Sequence, residues 1–197
     1  SILLGNYIIS KGPLDVLDHS TDVVGYGGKM GIDLTICSDV INYNISKSVL
    51  NNILVENEDL ININTDYIEL GLIIMSIDKK KGSIDRLSSW IRNVIDYKIL
   101  LVFVDKYVNI FDLKTLLWIF LNNFEPVRDF KIIDNTYVMD GCRKTLEIEG
   151  FNRRWPDIVL SSKETIQSVD NKWNKLGIGD FIESPSKKFI EKGLFNH

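Results

Sequence analysis

One stretch limits the possible folds more than any other. Ile99 to Val104 (ILLVFV) is an unbroken apolar run of strand length, rich in branched side chains. Such a run suits a strand buried on both faces of a sheet. Asp105 ends it, and Asp112 stands where the N-cap of a following helix belongs. Apolar residues then recur at Leu113, Leu116, Leu117, Phe120, Leu121 and Phe124, the spacing of a helix with one apolar face. Pro126 stops that helix, and Phe130 to Ile133 opens a second short apolar run. Strand, helix and strand in this span match a βαβ unit with a right-handed crossover. The fold class expected is α/β, with βαβ units around a mixed sheet and a C-terminal helix and extended arm.

Composition narrows the partners. The chain has 197 residues and a formal net charge of −4, so no basic footprint speaks for nucleic acid. Its apolar runs are far shorter than the roughly 20 residues a membrane span needs, which leaves at most peripheral membrane association. Cys37 and Cys142 form no metal-ligand spacing and read as reduced thiols of a cytoplasmic protein, with no metal site expected. The opening SILLGNYIIS lacks the basic start and cleavage site of a signal peptide and reads as a strand that begins at once. A domain rarely opens inside a strand, so the expectation is the downstream part of something longer.

Along the chain, Ile2 to Ile9 reads as a strand and Gly12 to Ser20 (GPLDVLDHS) as a turn with an acidic segment. Val23 to Thr35 holds four glycines in the seven residues from Gly25 to Gly31. Two readings stand for that cluster: an anion cradle with Lys29 as its charge, or a tight connection packed against a neighbour. It matches neither a phosphate-binding loop nor a dinucleotide fingerprint, and the packed connection is preferred. Asp15, Asp18 and His19 could serve acid–base chemistry or a metal, but three such residues so close in sequence are more often a hydrogen-bonded turn, and that reading is preferred. No nucleophile sits in a recognisable setting, so no catalytic residue is assigned.

Residues 39 to 65, rich in Asn, Ile and Ser, read as a linker or long excursion. Glu69 to Asp78 resumes as a strand, Lys79 to Gly82 as a solvated basic turn, and Ser83 caps a helix through Ile95. Asp140 to Pro156 mixes basic residues with Phe151 and Trp155; exposed it could grip a phosphate or a carboxylate, packed it is an arm on a partner surface, and the packed arm is preferred. Ser162 to Leu176 reads as one helix ended by Gly177 and Gly179. The tail beyond is expected to dock on a neighbour, through Phe189 and Phe195 above all.

Four motifs in this order carry a resemblance: GPLDVLDHS with GGKMGID, then LLVFVDKYVNIFDLKTLLWIFLNNFEPVRD, then DGCRKT…EGFNRRWPDI, then NKWNKLGIG. Together they resemble the C-terminal domain of the UbiD family of decarboxylases, which includes 4-hydroxy-3-polyprenylbenzoate decarboxylase of quinone biosynthesis. The resemblance implies a division of the chain. Residues 1–44 would be the tail of a first copy of this region and 45–68 a linker. Residues 69–139 would be a second copy, and 140–197 a C-terminal helix and arm. It also implies that the complete enzyme uses prenylated FMN, with a divalent metal and potassium, and acts on an aromatic carboxylic acid. The flavin-binding part and its Glu-Arg-Glu constellation match nothing in these residues, so the chain alone is expected to bind no cofactor and to need that part as a segment or subunit.

By the same resemblance Gly12, Pro13 and Leu14 line the substrate side of the flavin as an apolar wall, and a homo-oligomer is implied. Asp18, His19 and Lys29 fall near the domain interface. Two alternatives stand beside the decarboxylase reading: a non-catalytic assembly module or decayed remnant, and an unrelated α/β binder using the glycine loop.

Overall fold

The computed structural model describes residues 7–33, 47–95, 98–133 and 136–190. Cys37, the first residues of the expected opening strand, Phe195 and His197 lie outside these. The chain divides into two compact units, residues 1–155 and 156–197.

The first unit begins with an antiparallel hairpin, β1 (Tyr7–Pro13) and β2 (Tyr26–Ile32), in which Gly12 faces Gly27 and Ser10 faces Lys29. Helix α1 (Lys47–Glu56) and strand β3 (Leu60–Asn64) follow, then a 3-10 turn and β4 (Leu72–Ile77). Helix α2 (Ser83–Val94) leads to β5 (Ile99–Asp105), and α3 (Leu113–Asn123) to the short α4 (Pro126–Asp129). Strands β6 (Phe130–Ile133) and β7 (Thr136–Asp140) and helix α5 (Leu146–Glu149) complete it.

Five strands form the main sheet in the order β3-β4-β5-β7-β6. Strands β4, β5 and β7 are parallel, and β3 and β6 are antiparallel edges. The run Ile99–Val104 is the central strand, as its two-sided apolar character requires. Ile73, Leu101 and Val138 lie side by side across the three parallel strands with no exposure. Alternate residues of β4 and β5 form one core cluster with Ile53 of α1 and Leu87 and Ile91 of α2. Side chains of the opposite face, such as Ile74, Leu100 and Val104, are buried as well.

The expected βαβ unit closes differently. The strand parallel to β5 is β7, and Phe130–Ile133 is an antiparallel edge. The reason lies in α3, which ends beside the carboxyl end of β7, where Asn123 Nδ2 donates to the Gly141 carbonyl at 3.1 Å. A strand leaving from there runs back toward the amino end, and only its successor can return in parallel. Gly141 makes the approach possible: a Cβ there would collide with the Phe120 ring and sit 3.2 Å from the Phe103 carbonyl.

Residues 45–68, expected as a linker, supply α1 and the edge strand β3. Their asparagines do structural work: Asn64, 2% exposed, donates to the Ile110 carbonyl at 2.9 Å. Asp112 caps α3 as expected, accepting from the Thr115 amide at 3.2 Å. Ser83 is not a cap. Left-handed Gly82 occupies that position, and the buried Ser83 hydroxyl donates to Asp59 Oδ2 at 2.7 Å, linking α2 to the start of β3.

In the second unit the expected single helix is broken into α6 (Lys163–Asp170) and α7 (Trp173–Leu176), followed by α8 (Lys187–Ile190). Ser162 caps α6 by accepting from the Thr165 amide. Trp173 meets Phe181 edge to face at 5.6 Å and donates to the Gly179 carbonyl. Phe189, expected to reach a neighbour, is only 5% exposed; Phe181 and Ile182 are the exposed apolar side chains of its segment. Among the described residues no helix is long and apolar enough to cross a membrane.

Candidate functional site

Parallel strands place their carboxyl ends on one edge of a sheet, and in open α/β folds that edge is where sites form. Here the residues that follow each parallel strand are charged. Lys79 comes just after β4, Asp105 ends β5, and Asp140 ends β7, with Arg143 and Lys144 after it. The short helix α4 adds Arg128 and Asp129, and α5 adds Glu149.

These groups form one network. Lys79 pairs with Asp140 at 2.6 Å and with Glu149 at 2.5 Å, its side chain 9% exposed. Lys144, with no side-chain exposure, lies 3.5 Å from Asp129 and 3.4 Å from Asp140. It also donates to the carbonyls of Asp140 and Cys142. Arg128 holds Asp129 with two donors, reaches Asp22 at 3.0 Å, and lies over the Phe151 ring. The Arg143 amide donates to Asp105 Oδ2, and its Nε to the Tyr107 hydroxyl.

Burial pushes the Asp140 carboxyl up, but Lys144 and Lys79 outweigh it and hold it below the ordinary range. Burial likewise pulls on Lys79, yet Asp140 and its other partners keep its ammonium charged well above the usual range. For Asp105 and Asp129 burial wins over their cationic neighbours, and both carboxyls are raised. The Lys79–Gly82 turn, expected as a solvated loop, therefore places one of its lysines in the interior. A cleft of about 460 Å³ opens onto the network beside Lys79, Ser83, Arg128, Asp140 and Glu149.

A carboxylate raised by burial has a sign for stability. Between its unfolded and folded pKa the folded chain holds a proton the unfolded chain has released, so stability falls as pH rises through that window. Asp105→Asn keeps an acceptor for the Arg143 amide and removes the ionisation. The variant should gain stability relative to the parent at pH 7 and lose that advantage near pH 4. Urea denaturation at both values checks this, and an equal difference at the two would count against it.

The hairpin docks on the same network. The amide of Gly28 donates to Glu125 Oε1 at 2.5 Å, while Oε2 of that carboxylate accepts from the Arg128 amide. Glu125 is 5% exposed. The glycine cluster is thus a packed connection, and the anion its backbone cradles is the chain's own carboxylate. A flavin phosphate does not fit there, because the donor is already used.

Gly12 and Pro13 end β1, and the Leu14 amide donates to the Gly25 carbonyl at 2.9 Å. Around them stand Val16, Leu17, Val23, Val24 and Tyr26, each 44–84% exposed, an apolar rim on the hairpin end. Asp15 and Asp18 act as turn acceptors, for the Leu17 amide and for the Ser20 amide and hydroxyl. His19 points the other way, against Trp155 at 5.0 Å and hydrogen-bonded to Asn123, and burial lowers its pKa. Asp18 and His19 therefore do not form an acid–base dyad; Arg153 fixes their turn through the carbonyls of Asp18 and Thr21. Lys29 is exposed on the outer hairpin. Among the described residues no group of three or more His, Cys, Asp or Glu is placed to hold a metal ion.

Residues 61–142 match the family described as the 3-octaprenyl-4-hydroxybenzoate carboxy-lyase C-terminal domain, UbiD_C. An uncharacterized protein of Helicobacter pylori strain J99 is 27% identical over 192 residues, a match that takes in 93% of this chain and 30% of that one. One of Archaeoglobus fulgidus is 28% identical over 125 residues, 53% of this chain and 26% of its own length. The chain thus spans under a third of the curated relatives it matches. Among solved structures, the closed form of Sedimentibacter hydroxybenzoicus vanillic acid decarboxylase shares the fold with a TM-score of 0.51 at 13% identity, covering 66% of this chain and 31% of that one. An evolved dimeric form of the UbiD-class enzyme HmfF from Pelotomaculum thermopropionicum, in complex with prFMN, aligns over 62% of this chain and 28% of that one, with a TM-score of 0.45 at 21% identity. The matched span runs from within β3 to Cys142, through every strand of the main sheet and most of the charged cluster at its carboxyl edge, and over residues 61–142 the chain is similar to the C-terminal domain of the UbiD carboxy-lyase family.

Proposed function

We propose that this chain is the C-terminal portion of a UbiD-type decarboxylase of aromatic carboxylic acids, of the quinone-biosynthesis kind, working in the cytoplasm. In this reading it supplies the substrate-side wall and assembly contacts. Prenylated FMN, with its metal and potassium, is held by a separate flavin-binding part. That cofactor would supply the electron sink for decarboxylation. The observation that carries the reading is the exposed apolar rim at Pro13, Val16, Leu17, Val23 and Val24, held rigidly to the domain by Glu125. A dry wall beside a substrate carboxylate favours the step in which its charge is lost as carbon dioxide leaves.

The test is complementation. Alone with prenylated FMN, the chain should neither bind the flavin nor turn over an aromatic acid. Joined by the flavin-binding part it should support turnover, and Leu17→Asp should lower that turnover at least tenfold with an unchanged melting temperature. Turnover by the chain alone, or an inert Leu17→Asp, would overturn the proposal. A second reading, a non-catalytic assembly module, draws on the mutual pairing of the buried charges, which leaves Lys79, Lys144, Asp129 and Asp140 engaged with one another. Complementation without any turnover would favour it.

A further inference from the structure

The turn between β1 and β2, residues 14–25, carries the exposed side chains Val16, Leu17, Val23 and Val24, yet its middle is buried: Ser20 is 4% and Thr21 1% exposed. Two side chains tie that middle to the domain. Arg153 Nη1 donates to the carbonyls of Asp18 and Thr21 at 3.1 and 2.7 Å, and to the Thr21 hydroxyl. His19 stands edge to face against Trp155, ring centres 5.0 Å apart, and is hydrogen-bonded to Asn123. Asn123 is itself fixed, buried with Nδ2 on the Gly141 carbonyl. Its bond to His19 favours the charged ring, so the imidazole is the donor and Asn123 Oδ1 the acceptor.

We propose that this turn is a strap released by protonation of His19, holding the apolar rim against the domain near neutral pH and freeing it in mild acid. The inference stands on the turn's own contacts and does not depend on the decarboxylase reading. Strands β1 and β2 stay docked throughout, because the Gly28 amide remains on Glu125. What carries the inference is the company His19 keeps. Arg153 and Arg143 act on the ring from the two segments packed against the turn, and Lys144 lies 6.0 Å from the centre of the Trp155 ring that His19 touches. Against them stands Asp18, whose Oδ1 already accepts from the Ser20 amide and hydroxyl. The other acids at this end are engaged elsewhere: Asp105 by the Arg143 amide, Asp129 and Asp140 by Lys144, Asp22 by Arg128, and Glu125 by two backbone amides. Released, a charged imidazole is hydrated; docked, it shares a half-buried site with these cations. Burial above all, and then the two arginines, lower the proton affinity of the docked ring and outweigh Asn123 and Asp18. A base that holds its proton less tightly docked than released favours docking at high pH. That preference fades as pH falls from the ordinary 6.5 through the lowered docked value.

Hydrogen exchange of the full chain, corrected for its intrinsic pH dependence, tests the strap. Protection across residues 14–25 should be at least threefold lower at pH 5.5 than at pH 7.5, with β4, β5 and β7 unchanged. Asp105 and Asp129 also take up protons on acidification, so the comparison is with His19→Gln, which carries both acids and keeps a donor for Asn123. His19→Gln should match the parent at pH 7.5 and hold its protection at pH 5.5. The chain has two histidines, so the imidazole signal missing from His19→Gln identifies His19 in the proton NMR spectrum, where it should titrate below 6.5. A His19 that titrates at 6.5 or above overturns the proposal. So does an equal loss of protection in acid for parent and His19→Gln, or no loss in either.

Discussion

Lys144→Met should cost the fold about 3–5 kcal/mol, the loss expected when one partner of a buried ion pair is removed. Methionine keeps most of the aliphatic stem, so the packing beneath Trp155 changes little. What goes is the ammonium, with no side-chain exposure, that faces Asp129 and Asp140 and donates to two carbonyls at the end of β7. Arg128 and Lys79 still hold the two carboxylates, which should keep the cost inside that range. The pH dependence separates this account from simple cavity formation. Without Lys144 both carboxyls lose a cation that pulls their pKa down, so in the folded variant Asp129 is raised further and Asp140 is depressed less than in the parent. A raised carboxyl regains stability as pH falls through its folded pKa. The deficit of Lys144→Met relative to the parent should therefore shrink from pH 7 toward pH 4. Thermal melts across that range are the measurement, and a deficit that stays constant would assign the loss to packing alone.

Gly28→Ala should release the hairpin and leave the sheet. A Cβ at Gly28 would lie 2.5 Å from Glu125 Oε1, 2.8 Å from Val127 Cγ2 and 3.1 Å from the Val127 amide. Backbone and a doubly bonded carboxylate cannot step aside, so the hairpin must. Overpacking of this kind costs about 1–3 kcal/mol. Because no hairpin residue belongs to the main core cluster, the cost should appear locally. Hydrogen exchange should show residues 26–32 losing protection while β4, β5 and β7 keep theirs. Gly12→Ala is the control: its Cβ would meet nothing within 4 Å, and it should exchange like the parent. Equal loss of protection in both variants would mean that close approach at Gly28 is not what docks the hairpin.

The parts of the fold that were legible from sequence are those whose causes are local. A run such as Ile99–Val104 carries its own burial, and Asp112 and Ser162 carry their own caps. β3 was illegible because LININ alternates isoleucine with asparagine, a poor strand former, and the Asn64 side chain here bonds to another segment. β7 was missed because the Phe130–Ile133 run before it read as the returning strand. The charged cluster was out of reach for another reason. Lys79 and Asp140 lie 61 residues apart, and nothing in either neighbourhood announces the other. A trace was present, since three apolar strands each end on or beside a charged residue, but sequence alone does not say that those ends converge. The hairpin site was half legible: the glycines spoke for close packing, while the identity of the group packed against them, Glu125, needed the structure.

Among the described residues, the two edge strands of the main sheet bear on solubility. β3 is five residues long and its pairing is broken between Leu60 and Asn62, and β6 is four residues long with exposed Lys131 inside it. Short, interrupted or lysine-bearing margins are poor templates for another chain's backbone. The sheet is thereby guarded against open-ended stacking into fibrils, and a concentrated solution of this chain should stay clear where a long flat margin would seed precipitation.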